Sequence, residues 1–150
     1  MEVEVKIKAT AEELFSLLMD SVKHDIKQST GKDVKTKELV SGYTYSKNLT
    51  NKLGKEGAAS GVLTIIEPPF VYEAAFTSSR GVNRLSYKLV PLADGMLNVT
   101  YTEIYEPINR NSELNFKFVN FFYRKSFKKR ITHMIKMMEA HLQQKSVAVD

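Results

Sequence analysis

The 150-residue chain has no cysteine, no tryptophan, three histidines and four prolines. Without cysteine there is no disulfide and no thiolate-based zinc or iron–sulfur site. That suits a reducing compartment, and a cytoplasmic protein is expected. His133 and His141 stand eight residues apart, too far on one helix to share a metal, and His24 has only Asp25 beside it. Neither a metal nor a cofactor is expected. No stretch approaches the roughly 18 apolar residues of a membrane span. The opening Met1-Glu2-Val3-Glu4-Val5-Lys6 alternates charge with valine where a leader would be apolar. Gly54-Lys55-Glu56-Gly57 lacks the spacing and the Lys-Ser/Thr ending of a phosphate loop and reads as a hairpin loop.

What is present is ordinary globular material: 43% hydrophobic residues, 26% charged, and a net charge of +5. The length suits one domain over 1–150, with 146–150 as a frayed tail, and a core that needs no staple.

Val3, Val5 and Ile7 alternate with charges, the mark of a half-buried strand. Thr10 followed three residues on by Glu13 is a capping box. Leu14, Leu17 and Leu18 then recur at helical spacing. The helix is expected to falter at Asp20-Ser21, with a second short helix running to Thr30 and Gly31 ending it. Strand patterns follow over 33–40, 43–51, 59–67, 70–78, 82–91 and 96–106, separated by turn residues. Asp94-Gly95 between two alternating runs is a strong hairpin signal, since both residues tolerate positive φ. A long helix is predicted over 113–145. Phe127, Ile131, Met134, Ile135, Met138 and Leu142 form its apolar stripe, with Lys125, Lys129 and Lys136 opposite.

This order of elements, with the hairpin pattern Leu-x-Tyr-x-Leu-x-Pro-Leu-x-Asp-Gly-x-Leu-x-Val-x-Tyr-x-Glu, resembles the START-like superfamily, also called SRPBCC or Bet v 1-like. It also resembles a small bacterial family of unknown function within that superfamily. The resemblance covers nearly the whole chain and rests on architecture, not on a catalytic motif. It implies an α+β helix-grip fold: a curved antiparallel sheet of six or seven strands around a long C-terminal helix, with two short helices after strand 1. It further implies a small apolar or amphipathic ligand held between sheet and helix. A minority of the superfamily are enzymes, so fold analogy does not choose among these.

Side chains alternate along a strand, so Leu97, Val99, Tyr101, Glu103 and Tyr105 share one face. That face is the more apolar and is expected to turn inward. Leu85 and Tyr87 match it on the preceding strand, and Tyr72, Ala74 and Phe76 on the one before. Phe127 and Ile131 complete the expected ligand-binding set from the helix. Glu103 is the sharpest residue. An inward carboxylate needs a partner or a raised pKa. It is either a ligand anchor or acid/base, with a tyrosine as its counterpart, or a structural partner of Arg84, Lys88 or a tyrosine.

The start of the long helix, from Leu114 to Tyr123, is apolar all round and must be covered, by the rest of the fold, by a second copy in a homodimer, or by a membrane surface. Between Leu114 and Lys145 there are eight basic residues and one acidic, a net of +7 against −2 elsewhere. The excess is therefore one helix face. With no nucleic-acid motif beside it, nucleic acid is disfavoured as a partner. The leading expectation is a ligand-binding module. The alternatives are a cyclase, dehydratase or hydrolase using Glu103, and an interaction module using the basic helix.

Overall fold

The computed structural model describes residues 1–50, 56–108 and 110–149, and within them the side chains outside 48–50, 56, 110–123 and 146–149. The elements run β1 (Glu2–Lys8), α1 (Ala11–Thr30), β2 (Thr44–Thr50), β3 (Glu56–Glu67), β4 (Val71–Thr77), β5 (Gly81–Pro91), β6 (Met96–Pro107) and α2 (Arg110–Val149), with single 3-10 turns at Thr36–Glu38 and Ala93–Gly95. The six strands form one antiparallel sheet in the order β1-β6-β5-β4-β3-β2.

β1 buries Val3, Val5 and Ile7 and exposes the charges between them, as its alternation requires. Thr10 caps α1: its hydroxyl accepts from the Glu13 amide at 3.1 Å. The Glu13 carboxylate accepts from the Thr10 hydroxyl at 3.0 Å, where a full capping box would have it take the Thr10 backbone amide. Gly31 ends the helix in the left-handed region (φ 77°), its amide bonded to the Lys27 carbonyl.

Two expectations about this region are corrected. The two short helices are one continuous α1. Leu14, Leu18, Val22 and Ile26 carry the buried stripe straight across Asp20-Ser21. Packing along that stripe outweighs the modest helix propensity of those two residues. Residues 33–40 are not a strand; they are irregular around the 3-10 turn at Thr36–Glu38. Lys27 pairs with Asp33 at 3.0 Å, the Glu38 carboxylate accepts from the Lys35 amide at 2.6 Å, and Leu39 anchors the segment in the core. Without alternation there was no face to bury against the sheet.

The Asp94-Gly95 hairpin forms with both residues at positive φ (61° and 72°). A bulge in β3 between Leu63 and Ile65 shifts its register on β4, and bulges bend and twist a strand. α1 packs against β2 at one edge of the sheet, and α2 packs mainly against β1 at the other. Phe127, Ile131, Ile135 and Leu142 of the α2 stripe are buried, with Met134 and Met138 packed beside them. The segment read as a tail enters α2 as far as Val149, and its side chains lie outside the described residues. The same holds for the aromatic segment 114–123. Among the described residues no helix is long and apolar enough to cross a membrane.

Candidate functional site

The covered face of the sheet is built in rows by strand register. Tyr72, Tyr87 and Tyr101 stand side by side on β4, β5 and β6. Next come Leu63, Ala74, Leu85 and Glu103, and then Tyr45, Gly61, Phe76, Asn83 and Tyr105. The tyrosine row is solid. Tyr72 stacks on Tyr87 at 5.9 Å, Tyr87 meets Tyr101 edge-on at 4.9 Å, and Tyr101 meets Phe127 of α2 at 6.1 Å. The other rows contain small residues, and with the helices packed over opposite edges they leave space.

Two hollows result. The first, about 430 Å³, opens where β4, β5 and β6 face α2. Its wall includes Ala59, Phe76, Asn83, Leu85, Glu103, Tyr105, Phe127 and Arg130. The second, about 540 Å³, lies toward α1 between Tyr45, Tyr72, Tyr87, Met134 and Met138. Volumes of this size hold small organic ligands. Of the residues proposed from sequence, Phe76, Leu85, Glu103, Tyr105 and Phe127 line the first hollow, and Tyr72, Tyr87, Phe76 and Leu85 the second. Ala74, Leu97, Val99, Tyr101 and Ile131 line neither and are buried in the core.

Glu103 faces inward beside Asn83 and Tyr101. Its carboxylate accepts from Asn83 Nδ2 at 3.1 Å and from the Tyr101 hydroxyl at 3.0 Å. Arg84, on the opposite face of β5, pairs with Glu106 at 3.7 Å instead. An ionised carboxylate only accepts, so it fixes the Asn83 amide with its nitrogen toward Glu103. Asn83 Oδ1 is left buried without a partner. Burial first, then the Glu103 charge, holds the Tyr101 hydroxyl well above the ordinary phenol range. Tyr87 is raised by burial and then by Tyr72 and Glu103. Burial, with Asp25, pushes Tyr72 up to about 12. Tyr45 is raised by burial and by donating to Asp25 at 2.7 Å.

Sequence reading missed Lys47, Ala59, Asn83 and Arg130. Asn83 was within reach, because it continues the alternation of Leu85 and Tyr87. Arg130 follows Phe127 by three residues, which puts both on neighbouring parts of one helix surface. Lys47 and Ala59 depend on the β2–β3 register, which one sequence does not display. Among the described residues no cluster of His, Asp or Glu has the makings of a metal site.

A six-stranded antiparallel sheet curved against a long C-terminal helix, with hollows between them, is the helix-grip fold. The chain belongs to the family described as Domain of unknown function (DUF3284), which matches residues 1–124. None of the curated proteins matches it. Among solved structures it is similar to a protein of unknown function from Staphylococcus aureus, at 15% identity over 99% of this chain and 96% of that one, with a TM-score of 0.60. A protein from Nitrosomonas europaea is 11% identical over 98% and 96% of the two chains, TM-score 0.61. Ara h 8.0201 is 11% identical over 96% and 97%, TM-score 0.60. At such identities the likeness shows the fold alone.

Proposed function

We propose that the protein is a small-ligand-binding module of the START-like type. Its ligand is a mostly apolar molecule with one polar end, held between the sheet and α2. The observation that carries this reading is the first hollow, where Phe76, Leu85 and Phe127 form apolar wall and Glu103, Asn83 and Arg130 converge as polar groups. Apolar walls with a few placed polar groups are the general form of such sites. Glu103 then serves as polar wall, already engaged by Asn83 and Tyr101. Use of Glu103 and a tyrosine as an acid/base pair is the weaker reading, because Asn83 and Tyr101 already engage the Glu103 carboxylate and Tyr101 is buried off the wall.

A fluorescence titration with 8-anilinonaphthalene-1-sulfonate tests the proposal. Saturable binding near one equivalent, abolished in Leu85→Trp with its side chain filling the hollow, is the expected result. Equal binding by both proteins would place the dye elsewhere and remove the support.

A further inference from the structure

The two hollows meet at one wall, since Lys47, Phe76 and Leu85 line both. Phe76 is the residue of that wall held from most directions. Gly61 stands opposite it on β3, and a Cβ at Gly61 would lie 3.0 Å from the Phe76 ring. A side chain at position 61 would press on the ring at that distance. Tyr45 meets the ring edge-on at 6.3 Å. The Lys47 ammonium sits over it, 4.5 Å from the centroid. Lys47 is itself held by Asp25 at 3.2 Å, and the same carboxylate accepts from Tyr45. Yet Phe76 is only half-buried. It has space on both sides.

The two sides differ in how their charges are paired. In the first hollow the Glu103 carboxylate already has two donors. Arg130 places its guanidinium 5.7 Å from the Phe127 ring centroid. Among the described residues no carboxylate lies within ion-pair distance of it. Arg130 is therefore a cation of the first hollow with no ion-pair partner, while Glu103 on the same wall is engaged by two neutral donors. Beyond Phe76, Leu18, Val22, Met134 and Met138 give apolar wall beside Tyr72 and Tyr87, with Ser21, His24, Asp25 and Gln28 on its α1 side. Methionines adapt their shape to irregular apolar guests. The Asp25 and Lys47 charges there are spent on each other.

We infer that the two hollows are halves of one elongated site for an amphiphile with an anionic head, and that Phe76 sets how much of its tail is taken. The head pairs with Arg130, and the tail points at Phe76, with the methionine-lined half beyond it. This rests on the ligand-binding reading above and names the ligand class and the residue that selects chain length.

Calorimetric titration with octanoate, decanoate, dodecanoate and tetradecanoate, each below its micelle concentration, tests it. Each methylene taken out of water strengthens binding by about fourfold. In the wild type, affinity should climb at this rate and then level off where the tail meets Phe76. Phe76→Ala should move that levelling point to longer chains. Phe76→Leu, which keeps an apolar wall should the alanine variant unfold, should move it less but in the same direction. Arg130→Gln should weaken dodecanoate about tenfold and leave dodecanol unchanged. An unchanged levelling point in both folded Phe76 variants would overturn the role of Phe76 while leaving ligand binding intact. Dodecyltrimethylammonium binding as tightly as dodecanoate would overturn the head assignment. If folded wild-type protein binds none of these and no anilinonaphthalenesulfonate, the ligand-binding reading itself falls.

Discussion

Glu103 is placed by strand alternation and held by its neighbours. Leaving a buried donor unpaired costs more than the hydrogen bond it replaces. Glu103→Leu strips Asn83 and Tyr101 of their acceptor, so a loss of about 1–3 kcal/mol per orphaned group is expected in urea unfolding. Glu103→Gln, which keeps an acceptor oxygen, should lose less. The tyrosines give a second prediction. Tyr45, Tyr72, Tyr87 and Tyr101 are all raised above the ordinary value of 10. Above pH 10 the unfolded chain therefore releases phenolic protons that the folded chain keeps. Fewer protons bound in the unfolded state means stability falls as pH rises. Stability should be flat with respect to these groups below pH 10 and decline from there through the Tyr72 value of about 12 and beyond. Phenolate absorbance at 295 nm from these four should appear together with loss of far-ultraviolet dichroism. Appearance well before that loss would show that the row is not packed as described.

At the scale of elements, local signals and packing contribute differently. The Thr10 cap is local, and Thr10→Ala should cost about 1 kcal/mol in urea unfolding. Ile135 is fully buried on α2. Ile135→Ala should cost about 2–5 kcal/mol by the same measurement. Much of this level was legible in the sequence. β1 and the α2 stripe follow from periodicity, and the β5–β6 hairpin follows from Asp94-Gly95. The continuity of α1 was obscured because Asp20 and Ser21 look like a break, although Val22 and Ile26 carry the stripe onward. The turn at 36–38 was obscured because a polar segment anchored by Leu39 alone has no period to read. Edge protection was also invisible. Lys136 donates to the Lys6 carbonyl at 3.2 Å, and Glu139 accepts from the Lys8 amide at 2.5 Å. These side chains of α2 occupy backbone groups along the free edge of β1, where an open edge would invite pairing with another chain. Lys136 thus looks back at the fold, while Lys125 and Lys129 face outward.

At the scale of the molecule, two helices cover opposite edges of one curved sheet. The middle strands carry Ala59, Gly61 and Ala74 where bulk would otherwise fill the interior. The sequence indicated that inner face but not its division. Which residues are core and which are wall depends on where α1 and α2 come to rest, and strand alternation is silent on that. Hence Tyr101 and Ile131 share a face with Glu103 and Phe127 yet line neither of the two hollows. The central claim is that a ligand binds inside, between sheet and helix. Methyl-resolved NMR during a titration with decanoate tests it most directly. The account predicts saturable shifts at the methyls of Ala59 and Leu85, with the exposed methyls of Val90 and Ile104 unmoved. Shifts confined to Val90 and Ile104, or none at Ala59 and Leu85 at saturation, would contradict it.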